Sequence, residues 1–192
     1  FENIPFKVLE YISKLKPVFP KPSINQIVQN RFNEKKFINN IGIKTTNYVL
    51  ISNQSDIINN KNLLPGLLKT CTLGYDGKGQ FVLNNEEEAR ELKIDFDKEY
   101  ILEKKVNLKK EISVVITRFL NNDFTIYEPI ENLHINQILS RSTIPADINK
   151  NIFEKAQQQA KLIAEKLDYV GTMCVEYFID EKNNLLVNEI AP

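Results

Sequence analysis

The last two dozen residues constrain the fold more than any other part of the sequence. Two runs with alternating apolar residues, VGTMCVEYFID (170–180) and LLVNEIA (185–191), flank the polar turn EKNN. Alternation with a period of two is typical of half-buried strands, and a short polar loop joins such strands into an antiparallel hairpin. We therefore predict that the chain ends in a β-hairpin that belongs to a larger sheet.

This hairpin is predicted to bring two carboxylates together. Pairing Asp180 with Leu185 across the turn places Glu176 directly opposite Glu189. Opposed side chains lie about 5 Å apart, and like charges there are destabilising unless a positive charge lies between them. A hard divalent cation would supply that charge, and Asn188 adds an amide nearby. Since magnesium takes one or two carboxylates and completes its shell with water and phosphate oxygens, the pair indicates a nucleotide site.

The alternative is a solvent-exposed hairpin whose glutamates splay apart, or a register shifted by one residue that separates them. Glu176 lies between Cys174 and Phe178 on its face of the strand, and Glu189 has apolar neighbours at the same spacing. We therefore expect neither glutamate to be solvated.

A glycine-rich loop is the second candidate feature, in LLKTCTLGYDGKGQF (67–81). Glycines allow backbone N–H groups to approach an anion closely, and Lys69 and Lys78 bring positive charge. A mobile hairpin loop would use the same residue types. Together with the carboxylate pair, phosphate binding is the better interpretation. The flanking GLLKT and QFVLN are both strand-like, so the order is strand, loop, strand, unlike a Walker motif.

The remaining patterns indicate an α+β fold with mainly antiparallel sheets, because helical and strand segments do not alternate regularly along the chain. Helices are expected from near Asn30 to Gly42, around residues 54–60, in EEEAREL, and from Asn149 to Leu167. Strands are expected in TTNYVLI, YILEKKV, EISVVITRF, FTIYEPIEN and INQILSRSTI.

Composition excludes several classes of function. Lysine plus arginine and aspartate plus glutamate both number 25, so no global charge favours nucleic acid or an anionic membrane. No apolar run approaches the roughly 18 residues of a membrane span, and no secretory signal is evident, which makes the cytoplasm the default location. The single histidine does not establish a Ser-His-Asp or Cys-His site, and no zinc spacing exists.

Two further features are weak by themselves. YILEKKV carries Glu103 and leads to a strand with Glu111, an arrangement that can hold a purine and bind ribose hydroxyls but that an ordinary surface strand also shows. His134, the only histidine, is by itself more typical of a hydrogen-bonded turn or interior residue than of a ligand.

Several phrases together carry a resemblance to a known family: FENIP, QNRFNEKKF, LLKT with GYDGKGQ, ENLHINQILSRSTIPA, and VEYF with VNEIAP. Over nearly its whole length the chain resembles the 5-(carboxyamino)imidazole ribonucleotide synthases, which are ATP-grasp carboxylases of purine synthesis. The resemblance implies an ATP-grasp fold with two small subdomains around a nucleotide cleft. Residues 1–25 would be the tail of a missing N-terminal domain and a Pro-rich connector, 26–107 the first subdomain with the glycine loop as lid, and 108–192 the second.

The activity that the resemblance implies uses ATP and Mg²⁺. Bicarbonate is phosphorylated to carboxyphosphate, and the carboxyl group passes to the amine of 5-aminoimidazole ribonucleotide. Other ATP-grasp ligases, such as a formate-dependent purine transformylase or a biotin carboxylase, remain alternatives, as do a nucleotide-binding module inactive as a fragment and a purely structural interaction protein. A homodimer without nucleic acid or membrane partners is also implied.

Site residues follow from the same resemblance. ATP would contact Arg31 and Lys69, and His134, Asn188 and Glu189 would also lie at the nucleotide. Glu111 would bind the ribose, and Glu176 with Glu189 would bind magnesium. The loop departs from the family pattern in having Leu73 where a glycine is common, and Glu2 would be a remnant of the acceptor pocket. The adenine would be held by Glu103, Lys104, Lys105 and Val106, and the lid would consist of Gly74, Tyr75, Asp76, Gly77, Lys78, Gly79 and Gln80, of which Tyr75, Asp76 and Lys78 would reach the acceptor as catalytic residues.

Overall fold

Two antiparallel sheets and six α-helices form the protein over the part of the chain that the computed structural model describes, residues 4–72, 79–136 and 138–192. The helices are α1 (Phe6–Ser13), α2 (Pro22–Val28), α3 (Arg31–Asn40), α4 (Gln54–Asn59), α5 (Glu86–Glu91) and α6 (Lys150–Lys166). The strands are β1 (Tyr48–Ile51), β2 (Gly66–Thr70), β3 (Gln80–Leu83), β4 (Tyr100–Lys104), β5 (Leu108–Arg118), β6 (Phe124–Ile126), β7 (Ile130–Ile135), β8 (Ile138–Thr143), β9 (Gly171–Asp180) and β10 (Leu185–Ala191). The α+β prediction is confirmed.

The smaller sheet has the strand order β1-β4-β2-β3 and holds the glycine-rich loop between β2 and β3. Its apolar face packs against α4 and α5 around fully buried Ile51, Leu68 and Leu102. Asn53 and Asn85 begin these helices by accepting hydrogen bonds from backbone N–H groups of the first turn. This sheet therefore gives the strands beside the loop a rigid support.

The larger sheet has the strand order β10-β9-β5-β7-β8, with β6 added beside β5. Alternate residues of β5, β9 and β10 face a core that α6 covers with Ile152, Ala156, Ala160 and Ile163, as the helical spacing predicted. Their other faces carry the polar residues of the candidate site. The terminal hairpin prediction is confirmed, because β9 and β10 flank residues 181–184.

Helices α2 and α3 pack on the larger sheet, although they precede the smaller one in the chain. Ile24 and Ile38 lie in the core of the larger sheet. Pro22 of the Pro-rich connector starts α2, because proline fits the first turn of a helix, where its missing N–H is not needed. Asn30 caps α3 and Gly42 has a φ of 80°, as predicted for this helix. The division of the chain at residue 107 stays a prediction.

Two strand predictions differ from the structure. The run FTIYEPIEN is broken into β6 and β7, because Pro129 has no N–H to donate to a sheet. The run INQILSRSTI contains a turn near Asn136, whose φ of 52° lies in the left-handed region that asparagine tolerates. Ile135 therefore ends β7, and Ile138 begins β8.

In the described part of the chain no helix has both the length and the apolar character that a membrane crossing requires.

Candidate functional site

Glu176 of β9 lies directly opposite Glu189 of β10, as predicted, but the register that leads to this pair is different. Leu185 pairs with Ile179 instead of Asp180, and a β-bulge between Val187 and Glu189 then shifts the register by one residue. The extra residue in the bulge is Asn188. The predicted pairing of the two glutamates is thus confirmed, whereas the assumed uninterrupted ladder is wrong.

The two glutamates have different environments. Glu176 is half-buried, but Glu189 is exposed, so the expectation that neither is solvated is wrong for Glu189. Burial and the charge of Glu189 raise the pKa of Glu176, while the Asn188 side chain stabilises its carboxylate by a hydrogen bond. This is the electrostatic situation in which a bound cation would be stabilised by both carboxylates.

These residues fit a magnesium ion better than a fully protein-bound metal. Among the described residues, no three or more His, Cys, Asp or Glu side chains are grouped so as to hold a metal. Magnesium needs only one or two carboxylates when water and phosphate oxygens fill the rest of its shell. The opposed pair Glu176 and Glu189 satisfies that requirement.

Glu111 and His134 extend the polar face of the larger sheet. Glu111 lies on β5 opposite Phe178 of β9, and its Oε2 is 2.7 Å from His134 Nδ1. The ring and the carboxylate are thus in direct contact, although Nδ1 has no partner with hydrogen-bond geometry among the described residues. Besides burial and Glu189, both His134 and Glu111 affect the pKa of Glu176 electrostatically, so the three side chains form one electrostatic cluster.

On the smaller sheet, Lys69 and Glu103 form a largely buried ion pair. Glu103 lies opposite Leu67 on the neighbouring strand, and Lys69 is two residues further along the same face. Lys69 Nζ is 2.9 Å from Glu103 Oε2, and the lysine side chain retains 14% exposure while that of Glu103 has 2%. Lys69 therefore has an oriented ammonium group beside the glycine-rich loop.

The two ends of that loop are tied together. The Thr70 N–H donates to the Gly79 carbonyl over 3.0 Å, and Gln80 pairs with Lys69. Gly79 has a φ of 75°, and a side chain there would meet Thr70. Arg31 donates to the Thr70 carbonyl over 2.9 Å. The predicted lid residues Gly74, Tyr75, Asp76, Gly77 and Lys78 lie outside the described residues.

The segment predicted to hold adenine is partly engaged in internal contacts. The side chain of Glu103 pairs with lysines, and Lys104 Nζ donates to the Asn62 carbonyl over 3.1 Å. The N–H groups of Lys104 and Lys105 donate to carbonyls of neighbouring segments. Adenine binding by this segment thus stays a prediction. It now concerns mainly Val106 and the exposed side chain of Lys105.

The sequence reasoning missed two functional candidates on α3, Glu34 and Lys35, which are each only 1% exposed. Lys35 Nζ is 3.4 Å from Glu103 Oε1 and 3.1 Å from the Asn188 carbonyl oxygen. Burial and the charge of Glu189 raise the pKa of Glu34 to about 8. The available signal was spacing, since both residues share a helical stripe with buried Ile38.

Comparison with known proteins supports the nucleotide interpretation. Residues 36–192 match the model of the ATP-grasp domain. The chain is 37% identical to an N5-carboxyaminoimidazole ribonucleotide synthase of Staphylococcus aureus (strain COL), covering 52% of that protein. It is 36% identical to the synthase of Bacillus subtilis (strain 168), covering 51%. In both comparisons the whole chain is matched, so it spans about half the length of these curated relatives.

Solved structures agree with these matches. An ADP complex of an N5-carboxyaminoimidazole ribonucleotide synthetase superposes with a TM-score of 0.91 at 38% identity, covering all of this chain and 52% of the other. The Staphylococcus aureus synthetase complexed with ADP gives a TM-score of 0.91 at 36% identity with the same coverage. Because the family model covers more than half of its length, the chain belongs to the ATP-grasp family.

Proposed function

We propose that the chain is the nucleotide-binding part of an ATP-dependent ligase that carboxylates 5-aminoimidazole ribonucleotide with bicarbonate. The observation that carries the proposal is the opposed pair Glu176 and Glu189. The similarity to N5-carboxyaminoimidazole ribonucleotide synthases, two of which are described in complexes with ADP, supports this choice of ligase.

Residues of both sheets would bind the nucleotide. Glu176 and Glu189 would hold Mg²⁺, which when bound neutralises phosphate charge. Lys69, held by Glu103, would orient one phosphate, and Arg31 at the start of α3 would add positive charge at the same end of β2. Lys35 connects the phosphate-binding residues with the strand of the metal pair, because its Nζ contacts both Glu103 and the Asn188 carbonyl.

The remaining predicted roles are proposed on the same basis. Glu111, which contacts His134, would accept hydrogen bonds from the ribose hydroxyls. Tyr75, Asp76 and Lys78 of the lid would reach the acceptor and exclude water from the labile carboxyphosphate. A homodimer is proposed from the family resemblance, and a cytoplasmic location without nucleic-acid or membrane partners is proposed from the sequence composition.

Calorimetry tests the nucleotide part of the proposal. The chain is expected to bind ADP more tightly in the presence of Mg²⁺, and Glu176→Gln is expected to abolish that increment while circular dichroism shows an unchanged fold. Glu181→Gln, which removes the same charge from the exposed turn of the hairpin, is the matched control. Magnesium-dependent binding that survives in Glu176→Gln would assign the metal to other residues.

The choice of ligase is tested by turnover. The chain joined to the flanking regions that its relatives possess should release ADP from ATP only when both 5-aminoimidazole ribonucleotide and bicarbonate are present. Release that depends on formate or biotin instead would assign a different ATP-grasp reaction. A biotin carboxylase domain does superpose with a TM-score of 0.85, but its 17% identity shows the fold alone.

A further inference from the structure

Two successive ionisable residues of α3, Glu34 and Lys35, are buried against β10, the strand that carries Glu189. Each is only 1% exposed. Burial of ionic groups is unfavourable unless they form good hydrogen bonds or ion pairs, so their contacts indicate why a helix would carry them there.

Both side chains contact the backbone of the β-bulge. The N–H of Ile190 donates to Glu34 Oε1 over 2.7 Å, and Lys35 Nζ donates to the carbonyl of Asn188 over 3.1 Å. These two backbone groups flank Glu189 on either side. A bulge removes backbone groups from the regular ladder, and buried groups of this kind need other partners. Helix α3 supplies one acceptor and one donor.

The bulge decides which way Glu189 points. Before the bulge, Val187 pairs with Tyr177, and after it Glu189 pairs with Glu176. If the first register continued, Glu189 would lie opposite Val175, a fully buried residue of the core face. A one-residue shift exchanges the two faces of a strand. The carboxylate pair therefore exists only while the bulge is maintained.

We propose that Glu34 and Lys35 are positioning residues, which hold the bulge so that the Glu189 carboxylate faces Glu176. Lys35 also contacts Glu103, the partner of Lys69, so the same helix aligns the metal pair with the phosphate-binding lysine. The inference rests on the proposed function for the identity of the bound metal and nucleotide. The contacts of Glu34 and Lys35 are observed in the structure and do not depend on that function.

Substitutions at Glu34 separate the hydrogen bond from the charge. Glu34→Gln keeps an oxygen that accepts from the Ile190 N–H, whereas Glu34→Met has a similar size and no comparable acceptor. The probes are ADP and Mn²⁺, with Mn²⁺ affinity followed by electron paramagnetic resonance. We expect Glu34→Met to weaken Mn²⁺ binding in the presence of ADP about tenfold, as for other residues that orient metal ligands. Glu34→Gln should stay within about twofold of wild type, as should ADP affinity without metal in both variants.

Lys35→Met tests the second contact independently and should also weaken Mn²⁺ binding, which keeps the inference testable if Glu34→Met does not fold. Mn²⁺ affinity that is unchanged in the folded variants would refute the inference, even if their thermal stability falls. An equal loss in Glu34→Gln and Glu34→Met would refute it as well, since the loss would then follow removal of the carboxyl group and not removal of the hydrogen-bond acceptor. A wild-type chain whose ADP binding does not respond to Mn²⁺ would reject the proposed function, and the inference with it.

Discussion

Replacing Glu189 by glutamine should change stability in opposite directions with and without metal. In the metal-free chain Glu189 faces the half-buried Glu176, whose pKa burial and this neighbouring charge raise. Like charges directly opposite on a sheet cost about 0.2–1 kcal/mol, and the exposure of Glu189 places the effect in the lower part of that range. Glu189→Gln should therefore stabilise the metal-free chain by about 0.5 kcal/mol.

With Mg²⁺ and ADP bound, wild type should be more stable than Glu189→Gln. A ligand present at 100 times its dissociation constant stabilises the folded state by about 2.7 kcal/mol. Wild type should gain this amount, whereas Glu189→Gln should gain only what ADP provides without metal. Urea unfolding at pH 7.5, in EDTA and in Mg²⁺ with ADP, measures both values, with Glu181→Gln on the same hairpin as control. A metal-free Glu189→Gln chain that is less stable than wild type would refute the argument of repulsion between the carboxylates.

Three further predictions concern stability. The raised pKa of Glu34, about 8, means that the folded state keeps a proton that the unfolded chain releases above its ordinary value of 4.5. Stability should therefore fall between these pH values by up to about 1.4 kcal/mol per unit, and Glu34→Gln should flatten this slope in metal-free urea unfolding. Tyr177→Phe removes a buried hydrogen bond of 2.9 Å to the Ala156 carbonyl and should cost about 1 kcal/mol in the same assay, a loss that an unchanged midpoint would contradict. Asn30→Ala should cost about 1 kcal/mol by removing the cap of α3, and Asn30→Asp, which keeps the acceptor, should restore the midpoint.

Local sequence signals predicted the elements that depend on neighbouring residues. Asn30 and Gly42 delimit α3 because a side-chain cap and a left-handed residue act within one turn of the helix. The alternation in β9 and β10 identified the hairpin because each strand buries every second residue. The short turn also predicted that Glu176 and Glu189 lie close together, but the predicted register reached this pairing without the bulge that produces it.

What the sequence by itself determined was thus the terminal hairpin and the main helices. Only the tertiary structure decided the bulge at Asn188 and the burial of Glu34 and Lys35, because their partners are more than 150 positions away in the chain. Tertiary packing also placed α2 and α3 on the larger sheet although they precede the smaller one. A local pattern shows that a helix has a buried face, but the surface that covers it depends on how distant segments come together.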